Sequence, residues 1–283
     1  MAARNRAIPA PSPPSPPSPL VGVDFTSNPS RRKPITIARG ELDGESVRLD
    51  AIESLATLGA FEEWLRQPGP WLGAFDFPFG MPRAFVDANQ LGTTCAEVIG
   101  NVHTRCSTRM AWRAFIDAWG NGQPAGKRLL HRLTDREGGV SSTSPLQTRY
   151  VPVGFMYFEG LVRLIDANVS LPGLHAGEPD RVALEGYPRR LAHALVERRS
   201  YKNSELDDRR GAREAIVDGL ERARATDGIA LTLDRPLRDS LLADASGDRL
   251  DAVLCLMQAA VASRRLNFGL PVDVDPVEGW IVG

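Results

Sequence analysis

An excess of charge of either sign is missing from this 283-residue chain, in which Lys plus Arg is 34 and Asp plus Glu is 35. No global field therefore announces a polyanion or a membrane surface as partner, and any nucleic-acid surface has to be local. Cysteine is scarce and odd in number: Cys95, Cys106 and Cys255 show neither a CxxC pair nor Cys/His metal spacing. That argues against a disulfide framework and a zinc ribbon, and for a reducing compartment. No apolar run approaches the roughly 18 residues of a membrane span, and the first residues lack the apolar core of a secretory signal. The expectation is a cytoplasmic protein with no membrane partner. The four histidines, His103, His131, His175 and His193, have no ligand spacing. A GxxxxGK loop followed by Ser or Thr is absent, as is a Gly-x-Ser-x-Gly elbow, which removes the P-loop enzymes and argues against a serine hydrolase.

What is present is an ordinary globular composition, 42% apolar, long enough for one large core. Residues 1–19 form a Pro/Ser tract with almost nothing to bury, expected to be a disordered or polyproline tail. The folded part is expected from residue 20 to 283. Leu20 to Phe25 reads as a buried strand, and two extended runs, Pro34 to Arg39 and Ser46 to Leu49, flank an Asp-Gly turn. From Asp50 to Arg66 the residues Ile52, Leu55, Leu58, Phe61 and Leu65 recur at three- and four-residue steps, which predicts an amphipathic helix ended by Pro68-Gly69-Pro70. Trp71 to Asp76 and Arg181 to Gly186 are two further strands. Helices are expected in pieces over 83–119 and over Phe155 to Ala167, then up to Arg198, over Asp207 to Arg224 and over Arg249 to Ser263. The stretch 95–175 is expected to be a largely helical insertion or cap. A meander feeding parallel strands through helical crossovers describes an α/β fold with a mixed five-stranded sheet and helices on both faces.

Three of these strands end in or beside a carboxylate, and in open α/β sheets ligands bind at the carboxyl ends of parallel strands. Asp24, Asp76 and Glu185 can therefore converge. Asp248 and Asp251 open the last long helix, three residues apart and hence on one face. Asp248 serves equally well as a first-turn acid facing the helix dipole. Asp251, among Ala252, Val253, Leu254, Leu256 and Met257, wants a partner, because burying a lone carboxylate costs several kcal/mol or forces protonation. Asp24 between Val23 and Phe25, and Asp76 between Phe75 and Phe77, pose the same problem. Oxygen-only ligands suit Mg²⁺ or Mn²⁺ and disfavour zinc. Two such ions sharing carboxylates about 4 Å apart can activate water and stabilise the leaving oxygen of a phosphodiester.

Asp24 ending the first strand, an acid on a later strand and Asp-x-x-Asp-Ala opening the final helix resemble the ribonuclease H-like nucleases. More closely, Asp76-Phe-Pro-Phe-Gly80, Glu185-Gly-Tyr-Pro188, Lys202 and Leu250-Asp251-Ala252 resemble a family of predicted nucleases catalogued as domain of unknown function 429. The similarity runs from about Leu20 to the C-terminus, with 95–175 matching least. The resemblance implies a ribonuclease H-like fold and metal roles for Asp24, Asp76, Glu185 and Asp251, with Asp248 auxiliary. It implies a Mg²⁺- or Mn²⁺-dependent, two-metal phosphodiesterase acting on nucleic acid. Pro78, Gly80, Tyr187 and Pro188 are read as turn-shaping residues.

On the substrate side, Arg105, Arg109, Arg113, Lys127, Arg128, Arg132 and Arg136 outnumber Asp117 and Asp135 between Asn101 and Arg136, with Trp112 and Trp119 interleaved. Such a block can track a phosphate backbone or form a solvated face over a tryptophan core. Lys202 can approach a scissile phosphate or pair with an acid. Two rival functions stay open. Asp24-Phe-Thr26-Ser27 is loosely similar to the phosphate turn of the actin-like ATPases and sugar kinases, without the glycine expected after Asp24. A non-catalytic metal or nucleic-acid binding module is the other.

Overall fold

The computed structural model describes residues 18–139 and 141–283, so that most of the Pro/Ser tract lies outside the described residues. In chain order the elements are β1 (Ser18–Asp24), β2 (Ile35–Asp43), β3 (Ser46–Leu55), α1 (Leu58–Leu65), β4 (Trp71–Phe75), α2 (Arg83–Ala88), α3 (Cys95–Arg105) and α4 (Arg109–Asn121). They continue with α5 (Val153–Asp166), β5 (Val169–Ser170), β6 (Glu178–Glu185), α6 (Pro188–Val196), α7 (Asp207–Glu221), β7 (Ala230–Thr232), α8 (Arg235–Ala243) and α9 (Asp248–Ser263). The strands form one mixed sheet in the order β5-β6-β4-β1-β2-β3-β7. β1, β2 and β3 are an antiparallel meander, while β4 lies parallel to β1 and β6 parallel to β4.

Seven strands replace the five expected, because two short ones extend the edges: β5 beside β6 and β7 beside β3. Pairing also begins earlier than expected, with Ser18 and Pro19 already opposite Leu42 and Glu41. The larger correction concerns Asp50 to Arg66. Asp50 to Leu55 belongs to β3, Ala51 to Leu55 pairing with β2, and Asp50 is the extra residue of a bulge opposite Arg39 and Gly40. A helix would have put Ile52 and Leu55 on one face. In the strand they point apart, Ile52 to one hydrophobic cluster and Leu55 to the other, as period two requires. The helix starts only at Leu58, where Thr57 accepts from Ala60 N at 3.0 Å and so caps it.

The same alternation divides the core. Val21, Val23, Ile35 and Ile37 face a cluster built with α1, α3, α4 and α5 and rich in aromatics, including Phe61, Trp112 and Phe158. Leu20, Ala38, Val47 and Leu49 face the other, built with α6 to α9. Helix α9 is buried nearly all round, as expected of a helix laid across the middle of a sheet. It approaches β1 at Gly22, where a Cβ would sit 2.0 Å from Ala252 O and 2.2 Å from Leu256 N. Only glycine permits that approach. Among the described residues, no helix is long and apolar enough to cross a membrane.

Candidate metal centre and its cleft

β1 and β4 run parallel with Val23 opposite Phe75, so the next residue on each strand, Asp24 and Asp76, emerges at the same edge. Asp76 N donates to Val23 O at 2.9 Å and carries the ladder one step beyond the strand. Helix α9 delivers the third acid. Its first turn starts at Gly247, at φ 80, and Asp251 N donates to Gly247 O at 2.9 Å. One carboxylate oxygen each from Asp24, Asp76 and Asp251 lies within 4.8 Å of the other two. Octahedral ligands about 2.1 Å from a Mg²⁺ stand roughly 3 to 4 Å apart, so the trio fits a hard cation with small side-chain adjustment.

Burial is the first influence on these acids. It raises Asp24 well above the ordinary carboxylate value; Lys202 opposes the shift, while Asp248 and Asp76 add to it. Asp76 is raised to about 6, again by burial first, with Lys202 opposing and Glu185 adding. Asp251 is wholly buried. Its Oδ1 accepts from Tyr201 Oη at 2.6 Å, and its Oδ2 is in contact with the Lys202 ammonium. One ammonium thus faces three carboxylates, and the cluster keeps a negative excess that a divalent cation would remove.

Glu185 departs from the expected ligand set. Arg132 Nη2 donates to its Oε1 at 2.6 Å and Nη1 to its Oε2 at 2.8 Å, while Phe79 N also donates to Oε2, at 2.9 Å. Both oxygens are committed to a guanidinium fork, and Glu185 is not in the group of three. Arg132 is itself 1% exposed and also bonds Asp135 Oδ1 (2.8 Å) and Glu278 O (3.0 Å). Burial pushes Asp135 up, but Arg132, together with a hydrogen bond from Ser142, holds it below the usual value. Asp248 lines the same cleft from the first turn of α9 without joining the trio.

The basic block around it is largely spent on structure. Arg105 donates to Asn89 O and Gln90 O, Arg109 to Ser27 O, and Arg113 to Thr148 O while lying over the Phe155 ring. Trp112 is buried and donates to Gly154 O. From this block Arg132 reaches the cleft, already bound to Glu185 and Asp135; the other cations there, beside Lys202, are Lys33 after β1 and Arg189, Arg198 and Arg199 on and after α6. The cleft has a volume of about 660 Å³. Tyr201, which orients Asp251, was missed by sequence reasoning; its place next to Lys202 was the available signal. Comparison of the chain with protein-family models, with curated proteins and with solved structures returned no match.

Proposed function

We propose that this chain is a ribonuclease H-like, divalent-metal-dependent phosphodiesterase acting on nucleic acid. The observation that carries the reading is the convergence of Asp24, Asp76 and Asp251, from two adjacent parallel strands and one helix, with Asp24 and Asp76 lining a cleft with cationic walls and Asp251 buried behind them. The antiparallel meander continued by parallel β4 and β6 supports the same reading, as do the short motifs around these acids. A reducing, cytoplasmic setting fits the three cysteines, all free and buried.

Asp24, Asp76 and Asp251 would hold Mg²⁺ or Mn²⁺. Bound there, the ion supplies Lewis-acid polarisation of a phosphoryl oxygen, activation of water and neutralisation of charge at the leaving oxygen. Tyr201 fixes the Asp251 carboxylate through its hydrogen bond to Oδ1. Lys202, released from Asp251, stands ready to meet a non-bridging phosphate oxygen. Lys33, Arg189, Arg198 and Arg199 draw the phosphate backbone into the cleft.

Calorimetric titration with Mn²⁺ of the wild type, Asp24→Asn and Asp251→Asn tests this, followed by cleavage assays on single-stranded, duplex, branched and hybrid substrates. Binding and metal-dependent cleavage present in the wild type and lost in both variants are expected. One observation favours a second reading, a non-catalytic nucleic-acid binding module: the Lys202 ammonium already balances Asp251. That reading gives oligonucleotide binding without Mn²⁺ heat and without cleavage.

A further inference from the structure

The cleft over the three aspartates has a property that phosphate binding alone does not require. Tyr150 lines it and is 99% exposed. Single exposed apolar side chains are common and call for no explanation. This one sits at the mouth of the reaction cleft, on a backbone at φ 51, in the left-handed region that costs a non-glycine residue about 1 kcal/mol or more. The chain on either side is tied down: Arg113 donates to Thr148 O at 2.7 Å, Arg149 pairs with Asp117 at 2.5 Å, and Gly154 N closes the loop by donating to Gln147 O at 2.7 Å. The ring is therefore presented on a loop closed at its base, with nothing among the described residues covering it.

The charged surroundings are free as well. Lys33, Arg189, Arg198 and Arg199 are exposed, and none has a carboxylate partner within salt-bridge distance among the described residues. Lys33 sits in a tight turn, its carbonyl accepting from Ser30 N at 2.9 Å, and the exposed Arg31 and Arg32 precede it there. Size and depth then decide between substrate forms. A cavity of about 660 Å³ lies in the range that encloses a drug-sized ligand, about 300–1,000 Å³, which suits one or two nucleotides. The acids below are recessed, Asp251 at 0% and Asp24 at 9% exposure. A duplex keeps its base faces stacked and offers only phosphates, sugars and groove edges, so it has nothing to lay on Tyr150. A single strand has free base faces and a backbone that can descend to the floor.

We infer that the cleft takes single-stranded nucleic acid, with one base stacked on Tyr150 while the adjoining phosphates are held by Lys33, Arg189, Arg198 and Arg199. The inference rests on the phosphodiesterase reading for the identity of the substrate, and the test separates the two. Fluorescence anisotropy of a short fluorescein-labelled strand, as DNA and as RNA, is compared with the same strand annealed to its complement, using the full chain. The single strand is expected to bind more tightly than the duplex. Tyr150→Ala is expected to weaken single-strand binding about five-fold or more, the effect of losing one stacked base, while Tyr150→Phe retains it. Because the ring packs against nothing among the described residues, neither substitution threatens folding. Arg198→Ala with Arg199→Ala is expected to flatten the salt dependence of binding. Equal or tighter duplex binding, an unaltered affinity in Tyr150→Ala, or no strand binding at all overturns the inference. Mn²⁺ calorimetry on the same preparations reports separately on the metal reading. A protein that binds Mn²⁺ but ignores Tyr150 loses only the strand site, and one that binds strand through Tyr150 without Mn²⁺ loses only the metal centre.

Discussion

Two groups of buried and half-buried acids meet at one end of the sheet, and they are balanced in opposite ways. Glu185 and Asp135 share the Arg132 guanidinium, with Phe79 N and Ser142 Oγ completing their hydrogen bonds. Asp24, Asp76 and Asp251 share one lysine and one tyrosine, and burial raises the first two out of the ordinary carboxylate range. The first group is satisfied by the chain and holds loops to the sheet; the second is left with charge to neutralise. Acids of the same type at neighbouring strand ends therefore divide into a set neutralised by the chain and a set that is not, and the proposed function rests on the second.

Arg132→Met gives the strongest way to break this contrast. It strands two buried carboxylates and should cost about 3–5 kcal/mol by chemical denaturation. Arg132→Lys should recover little, since an ammonium cannot span both partners with a fork. A loss below about 1 kcal/mol would mean the two groups are not differently balanced.

Asp76→Asn should act in the other direction. A carboxyl raised from 3.8 to about 6 stabilises the fold fully only below pH 3.8, and the contribution is lost as pH rises through about 6. Without metal at pH 7.5, the Asn variant should be more stable by about 3 kcal/mol, with the difference vanishing near pH 4. Thermal denaturation in a chelator across that range measures it. Added Mn²⁺ should raise the melting temperature of the wild type alone.

Smaller effects sharpen the comparison. Tyr201→Phe removes the donor to Asp251 Oδ1 and should cost about 1–2 kcal/mol without metal, with weaker Mn²⁺ binding in calorimetry. Ser142→Ala takes one of several donors from Asp135 and should cost about 1 kcal/mol while leaving the Mn²⁺ isotherm untouched.

The strands carrying Asp24, Asp76 and Glu185 were legible because short apolar runs bounded by turn residues leave little choice of structure. Asp50 to Leu55 was not, since its three-residue spacing also fits a strand whose side chains serve both faces of the sheet. Helix α8 announces itself by Asp234 before Arg235-Pro236, a capping residue followed by a first-turn proline, a signal that the reading by hydrophobic spacing passed over. The partner of Glu185 had no local signature at all. Arg132 lies 53 residues away in a stretch poor in apolar anchors, and only the folded chain joins them. Counting arginines between Asn101 and Arg136 misled for a related reason: a sequence shows charge but not whether a carbonyl or carboxylate has already claimed it. Arg105, Arg109 and Arg113 are claimed in this way, whereas no carbonyl or carboxylate among the described residues claims the guanidinium of Arg198 or Arg199.

The contact at Gly22 sets a main-chain separation within which the side chains of the acids have to adjust. With main chain resting on main chain between β1 and α9, the backbones that carry Asp24 and Asp251 are held like the jaws of a calliper, two residues from the point of contact on the strand and one from Ala252 on the helix. On the proposed metal reading, an ion bound between these two acids would meet a spacing that the main-chain contact limits, and titration with Mg²⁺, Mn²⁺ and Ca²⁺ side by side would read out how far that spacing selects by ionic size.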